Sequence, residues 1–352
     1  MLNKVKRKVF LIKAPQCEYN LDQKEKDLSV IRTFQPSLPL SLAYLGAFLR
    51  EYASEDFHVT LKDINTEFLT EADGNIDYVN MSRLMSRNME SAIKSTDYDV
   101  IGISSVFVNN LKWVQQAVQW AKEYHSDKPV ILGGGYPTVF PEKSLEFTGA
   151  DYAVIGEGED TVLALLNRIF KIKNSRFGKL FPHISGYVYR EQGEIYVVPK
   201  TTAIKDLNLI PFPAWDMLNV EQYLNKQDQR MLFCFTSRGC PFRCTYCGTY
   251  LVWGKGIRFR SAENVLAEID WLHHEYGVKN IHFVDDNMTA NKERIKTILH
   301  GLIERDYDLT WQASNFAIKS LSKEIIELMI ESKMTSASLA IESGSPSIQK
   351  LV

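Results

Sequence analysis

Residues 236–250 read TSRGCPFRCTYCGTY and bring three cysteines, Cys240, Cys244 and Cys247, into eight consecutive positions. No other cysteine follows them in the sequence. A closed structural metal site has four protein ligands, whereas a site that does chemistry keeps one position open. A cubane iron–sulfur cluster held by three cysteines likewise leaves one iron without a protein ligand. The spacing therefore favours a reactive metal centre.

Structural zinc is the alternative for this segment. The last two cysteines form a C-x2-C pair, and His273 and His274 follow at a usable distance. These histidines are adjacent in a helical pattern, so they point in different directions around the helix. Cys234, in the apolar run MLFCF, and the isolated Cys17 are predicted to be packing residues.

Composition restricts the class of protein. The chain has 352 residues, which predicts about two domains. Its net charge of −2 gives no reason to expect a nucleic-acid partner. Its apolar runs are shorter than the ~18 residues of a membrane span and than a signal-peptide core. An odd cysteine count of five then favours a reducing cytoplasm.

The first 170 residues alternate short apolar strands with helices. This pattern predicts a Rossmann-like, doubly wound parallel sheet, which binds ligands beyond the carboxyl ends of its strands. Glycines and hydroxyl residues collect at three of these ends, although glycines also simply turn a chain. No dinucleotide or P-loop fingerprint is present. The strands are predicted at 8–14, 58–64, 99–106, 129–135 and 152–159, and the helices at 39–52, 110–124, 142–147 and 160–171.

A second strand–helix series follows the cysteines. It predicts a (β/α) barrel of the TIM type, with sites at the carboxyl ends of strands. Between the two series, residues 186–199 are predicted to form a hairpin that turns at Gly193. The predicted domains are therefore 1–175, a hairpin and linker at 176–229, and a partial barrel at 230–352. Its strands are predicted at 230–236, 280–287, 309–315 and 336–344, and its helices at 262–276, 292–305 and 323–332.

The C-x3-C-x2-C motif, with Tyr246 before its third cysteine, resembles the radical SAM enzymes. The resemblance implies a 4Fe-4S cluster on Cys240, Cys244 and Cys247, with S-adenosylmethionine bound to the fourth iron. One electron, from an external donor such as flavodoxin or ferredoxin, would then cleave the cofactor to a 5′-deoxyadenosyl radical.

The resemblance also implies S-adenosylmethionine or substrate contacts at two strand ends. For the acidic pair at the first of these ends, helix capping is the alternative. For Glu342, a carboxylate ending an apolar strand needs a partner. The residues implied to bind S-adenosylmethionine are Tyr246, Asp285, Asp286, Asn287, Glu342 and Ser343.

The N-terminal half resembles the cobalamin-binding domain that precedes the radical SAM core in one large subfamily. The segments that carry this likeness are PLSLAYLGAFLR at 39–50, a serine-bearing strand end, GGGYPTVFPE at 133–142 and DYAVIGEGED at 151–160. The D-x-H-x-x-G segment is missing, so cobalt is expected to lack a histidine ligand from the chain. The residues implied to bind cobalamin are Ser104, Ser105, Gly133, Gly134, Gly135, Gly156, Glu157 and Gly158.

These resemblances imply an enzyme that methylates an unactivated carbon or phosphorus of a small molecule. Ring formation, rearrangement, methylthio transfer or a non-catalytic cofactor-binding fragment are alternatives, and methylthio transfer would want a second cysteine set. The family core usually has six strands and a variable C-terminal region. Because four strands are predicted here, we expect a barrel truncated after its fourth strand, with an unpaired edge at 336–341.

Overall fold

The computed structural model describes residues 5–16, 38–66, 78–105, 110–172, 184–227 and 229–349. They form two compact units. The first comprises Met1–Ala203 and Pro211–Gln222, and the second comprises Ile204–Ile210 and Tyr223–Val352.

The first unit is built on a seven-stranded sheet of order β2-β1-β3-β4-β5-β6-β7. The first five strands are parallel, as the sequence predicts, and the order reverses between β1 and β3. Such a reversal opens a crevice at the carboxyl ends of the strands. The strands are β1 Arg7–Lys13, β2 Phe57–Asp63, β3 Val100–Ser104, β4 Val130–Gly133, β5 Tyr152–Val154, β6 Tyr187–Glu191 and β7 Glu194–Val198.

The first unit also contains helices, and the central strands of its sheet are buried. In β1, Phe10 and Ile12 join one core cluster, while Val9 and Leu11 alternate to the opposite face and are also buried. Burial on both faces is what a parallel sheet between helices requires. The helices are α1 Leu40–Ala53, α2 Tyr78–Ser95, α3 Leu111–Tyr124, α4 Gly135–Val139, α5 Pro141–Thr148 and α6 Glu159–Ile169.

The hairpin β6–β7 belongs to this sheet and is not part of a linker. The strand β6 pairs antiparallel with β5, with Val154 opposite Tyr187. The turn uses Gln192 and Gly193, both with positive φ. The hairpin covers the edge that β5 would otherwise expose, which is why it joins the sheet.

The second unit contains a parallel four-stranded sheet of order β13-β12-β11-β8 and a separate antiparallel pair, β9 with β10. Among the described residues, β13 pairs only with β12. The strands are β8 Met231–Cys234, β9 Ser237–Cys240, β10 Gly256–Phe259, β11 Asn280–Phe283, β12 Thr310–Ala317 and β13 Met334–Ala340. The helices, numbered on from α6, are α7 Val220–Asn225, α8 Thr249–Trp253, α9 Ala262–Tyr276, α10 Lys292–Arg305, α11 Lys323–Glu331 and α12 Pro346–Gln349.

One face of this sheet packs against helices and the other carries polar side chains. Trp311 of β12 donates its indole N–H to Ser332 at the end of α11. On the opposite face, His282 contacts Phe233 and Ser314 from the two neighbouring strands. None of the helices in the described part of the chain is long and apolar enough to cross a membrane.

Candidate functional site

The cysteine loop begins where β9 ends, at Cys240. The predicted strand 230–236 stops earlier than expected, at Cys234, and the chain turns into the β9–β10 pair. Gly239 lies in that pair with φ of +87°, and a Cβ there would lie 2.4 Å from the Gly256 carbonyl oxygen. Because only glycine tolerates both conditions, Gly239 fixes how Cys240 leaves the strand.

The three motif cysteines are free and half-buried. The Cys247 amide donates to the Cys244 carbonyl at 3.1 Å, which closes the loop. Among the described residues, no three His, Cys, Asp or Glu side chains are grouped to hold a single metal ion. In a cubane cluster each cysteine thiolate binds a different iron. The three motif cysteines therefore suit a cubane cluster as ligands. Burial raises the pKa of the Cys240 thiol, so ligation there must displace a proton.

Asp286 joins both ends of the cysteine loop. Its carboxylate accepts hydrogen bonds from the Thr249 hydroxyl at 3.1 Å, the Gly239 amide and the Trp253 indole. Thr249 in turn accepts from the Cys247 thiol at 3.3 Å. Burial raises the pKa of Asp286, and these donors oppose the rise. Asp286 therefore supports the loop from the end of β11.

Asp285 lies beneath the start of the same loop and is only 2% exposed. It accepts from the Thr236 amide at 2.9 Å and the Thr236 hydroxyl at 2.7 Å, and also from Ser237. Desolvation raises its pKa, while these donors and the Arg294 charge oppose the rise. Neither carboxylate caps a helix, since Asn291 caps α10. Their expected contacts with S-adenosylmethionine remain predictions.

Two arginines that the sequence analysis missed complete this buried network. Arg294 donates to the Thr236 carbonyl at 2.7 Å and to the Arg260 carbonyl at 2.6 Å, and burial lowers its pKa to about 10. Arg260 pairs with Glu268 and donates to the Phe235 carbonyl at 2.7 Å. The only feature of the sequence that indicates burial of these two arginines is that each stands next to an apolar residue.

Tyr246 and Glu342 meet in the structure, although 95 positions separate them. The Tyr246 hydroxyl donates to the Glu342 carboxylate, which raises the tyrosine pKa. Glu342 has φ of +64°, a left-handed backbone that is uncommon outside glycine. Ser343 accepts from the Ser345 amide at 3.1 Å. Two residues implied to bind S-adenosylmethionine therefore come together beside Cys244, which also contributes to the tyrosine shift.

Asn287 is buried at the end of β11, with 1% exposed. Its Oδ1 accepts from Thr289 at 3.0 Å, while its Nδ2 has no partner in the described part of the chain. A buried amide with an unused donor is costly, and a bound ligand can satisfy it.

The zinc alternative finds no support among the described residues. His273 contacts the Val278 carbonyl through Nδ1, and His274 contacts the Tyr307 hydroxyl through Nε2. Cys234 is fully buried in β8, as predicted, and burial raises its pKa well above the usual value. Cys17 lies outside the described residues.

In the first unit, the ends of β3 and β4 lie side by side. Ser104 pairs in register with Gly133, and the Ser105 amide donates to the Gly133 carbonyl at 2.7 Å. Among the described residues, a Cβ on Gly133 would meet nothing within 4 Å. The Ser105 hydroxyl is buried and has no partner among the described residues. An unused buried polar atom at this strand end fits a bound polar ligand.

Thr138, which the sequence analysis missed, connects two of the glycine turns. Its hydroxyl donates to the Gly134 carbonyl at 2.8 Å and accepts from the Gly156 amide at 2.9 Å. Gly134 has φ of +108° and Gly156 has φ of +72°, conformations that favour glycine. Gly135 begins α4, and Gly158 is the N-cap of α6. The predicted cobalamin residues therefore lie at the ends of three neighbouring strands, and their binding of cobalamin remains a prediction.

The chain combines two units. One is Rossmann-like with glycine-lined strand ends, and the other is a parallel β/α unit with a three-cysteine loop. This combination is typical of proteins that bind two different cofactors. Sequence models of two families match the chain: the B12 binding domain at residues 35–166 and the radical SAM superfamily at residues 234–352. The chain therefore carries a B12 binding domain followed by a radical SAM domain. Radical SAM domains imply a 4Fe-4S cluster and S-adenosylmethionine, and a B12 domain implies cobalamin.

Two curated relatives match most of this chain. An uncharacterized methyltransferase of Pyrococcus horikoshii is 31% identical over 89% of this chain and 62% of its own length. The cytidylyl-2-hydroxyethylphosphonate methyltransferase of Streptomyces wedmorensis is 27% identical over 87% of this chain and 61% of its own length. The chain thus spans about three fifths of the length of these relatives.

A solved structure has the same fold. The radical S-adenosylmethionine methyltransferase TsrM of Kitasatospora setae aligns with a TM-score of 0.69 at 16% identity. The alignment covers 97% of this chain and 60% of that one. At this identity the likeness concerns the fold alone.

Proposed function

We propose that this chain is a cobalamin-dependent radical SAM methyltransferase that methylates an unactivated carbon or phosphorus of a small molecule. The observation that carries the proposal is the presence in one chain of a three-cysteine loop and of glycine-lined strand ends in a B12-type sheet. The two curated relatives described above are both named methyltransferases, which supports methyl transfer.

The chain's own residues have distinct roles in this proposal. Cys240, Cys244 and Cys247 would hold the cluster, and the open iron position would take S-adenosylmethionine. Tyr246 and Glu342, which hydrogen-bond to each other beside Cys244, would contact that cofactor, and the unused Asn287 donor is a further candidate. Asp285 and Asp286 would act mainly by fixing the loop, because their hydrogen-bond donors are residues of the segment 236–253.

In the first unit, the residues that end β3, β4 and β5 would receive cobalamin. The unused Ser105 hydroxyl supports this placement, as does Gly133, where a Cβ would meet no described residue within 4 Å. When bound, the cluster and S-adenosylmethionine supply the radical, and cobalamin supplies the methyl group. The parallel sheet of the second unit would belong to a (β/α) barrel, and the cluster electron would come from flavodoxin, ferredoxin or a similar one-electron donor.

Anaerobic reconstitution tests the cluster assignment. We expect about four irons per chain, as one cubane requires. Alanine at Cys240, Cys244 or Cys247 should abolish the iron–sulfur absorption, whereas the control Cys17→Ala should keep it. Tight zinc binding without that absorption would contradict the assignment.

Reaction products test the activity. The reduced, reconstituted protein should release 5′-deoxyadenosine from S-adenosylmethionine, which separates an enzyme from a cofactor-binding module. Deuterated methyl label from S-adenosylmethionine should then appear on cobalamin and on a methylated product. Formation of 5′-deoxyadenosine with product that carries no label would favour a ring-forming or rearrangement reaction.

A further inference from the structure

Lys200, which directly follows the hairpin, makes three hydrogen bonds through its ammonium group. Nζ donates to Asp160 Oδ1 at 2.8 Å, to the Thr161 hydroxyl at 2.7 Å and to the Glu157 carbonyl at 3.2 Å. The side chain is 15% exposed. A lysine ammonium has three donors, and these three acceptors use all of them.

The acceptors lie in the turn after β5 and at the start of α6. Glu157 is the middle residue of the turn 156–158, whose glycines are predicted to bind cobalamin. Asp160 and Thr161 belong to the first turn of α6. The Thr161 hydroxyl also donates to the Ser185 carbonyl at 3.0 Å. Lys200 therefore fastens the turn, the helix start and the hairpin to one another.

The hairpin is shaped to admit the lysine stem. Gly186 has φ of +80°, and a Cβ there would lie 2.3 Å from Lys200 Cδ. The Gly186 carbonyl accepts from the Ile155 amide at 2.7 Å, one residue before the turn. Any side chain at this position would displace either the lysine or the strand end.

The charge of Lys200 is needed where it lies. Glu157, Glu159 and Asp160 are all less than 9% exposed, so three acidic side chains are buried within four positions. An acid in the first turn of a helix is favourable, but a buried carboxylate also needs a hydrogen-bonded partner. Lys200 supplies a cation to Asp160 at 2.8 Å. Without it, the turn would have to open to hydrate that carboxylate.

We propose that Lys200 is a positioning residue for cobalamin, because it holds the turn 156–158 in the conformation that receives the cofactor. Lys200 acts through Glu157, Asp160 and Thr161 and is assigned no contact with the cofactor. This inference rests on the proposed cobalamin site.

The test compares Lys200→Met with Lys122→Met in the full chain. Lys122 forms an ion pair with Asp151 at 2.5 Å. Asp151 directly precedes β5, so this pair lies at the end of β5 opposite to the turn 156–158. The dissociation constant for hydroxocobalamin is measured by absorbance titration, and amide hydrogen exchange of residues 156–158 is followed without cofactor. Lys200→Met should raise the dissociation constant about tenfold or more and speed exchange of the turn, as the loss of a charged hydrogen bond implies. Lys122→Met should change neither.

Thr161→Val keeps the charge pair and tests the same point if Lys200→Met does not fold. It should raise the dissociation constant several-fold, and Lys200→Arg should bind better than Lys200→Met. Wild-type affinity and exchange in folded Lys200→Met would overturn the role of Lys200 alone. Failure of the wild-type chain to bind hydroxocobalamin would overturn the proposed function itself, and this inference with it.

Discussion

Replacing Thr138 by valine should weaken cobalamin binding because its hydroxyl joins two glycine turns. The change keeps the shape of the side chain and removes the bonds to the Gly134 carbonyl and from the Gly156 amide, at 2.8 and 2.9 Å. Each neutral hydrogen bond contributes about 0.5–1.5 kcal/mol, so the free energy of unfolding should fall by about 1–3 kcal/mol. If bound cobalamin requires the native conformation of both turns, binding must offset this loss. Each 1.4 kcal/mol, roughly, then raises the dissociation constant for cobalamin tenfold.

Thr148→Val is the matched control. Thr148 is also buried, donates to the carbonyl four residues back at 2.6 Å and accepts the Ala150 amide at 3.3 Å, but it ends α5. Urea unfolding and hydroxocobalamin titration should show similar destabilisation of both variants and weaker binding only for Thr138→Val. Equal affinity in the two variants would refute the reasoning, because the turns would then not need the Thr138 bridge.

Three further changes test other parts of the molecule. Gly239→Ala should lose the cluster and about 1–3 kcal/mol of stability, whereas Gly193→Ala, where a Cβ meets no described residue within 4 Å, should keep its iron content; equal iron in both would contradict the role of Gly239. Tyr246→Phe should leave stability nearly unchanged, because its hydrogen bond is exposed, and should weaken S-adenosylmethionine binding several-fold; unchanged binding would remove Tyr246 from the site. Burial lowers the pKa of His282 from its usual value of 6.5, so at lower pH the unfolded chain binds more protons than the folded chain, and the free energy of unfolding falls as pH decreases. In urea titrations at about pH 5–7, His282→Gln should make this fall less steep. An unchanged dependence of the unfolding free energy on pH would exclude His282 as its cause.

The three longest helices of the second unit could be predicted from sequence because their ends are set locally. The helix at 262–276 begins after Ser261, whose side chain accepts from the Asn264 amide, and it ends at Gly277 with φ of +58°. Both are cap residues that a sequence shows directly. By contrast, α2 was missed although Met81, Met85 and Met89 recur every fourth residue and are fully buried. A methionine stripe is therefore a signal that the sequence offered.

The β9–β10 pair was not predicted because tertiary contacts define it. Each strand has four residues, and the register depends on the close approach of Gly239 to the Gly256 carbonyl. Arg238 lies over the rings of Phe235 and Trp253, at 4.6 and 5.1 Å from their centroids. Strands this short have no hydrophobic period of their own, so the pattern predicts one strand at 230–236 and neither β9 nor β10.

For the acidic pair after β11, the sequence could predict the position of the residues but not their partners. The sequence indicates that Asp285 and Asp286 stand together at a strand end, but successive residues of an extended chain point in opposite directions. Asp285 accordingly turns to Thr236 at the start of the loop, and Asp286 turns to Thr249 at its end. Burial raises the pKa of both carboxylates, and the donors that the loop supplies oppose that rise. The loop and the strand end therefore stabilise each other without the cluster, which is why loss of a cysteine should remove iron while the fold around it persists.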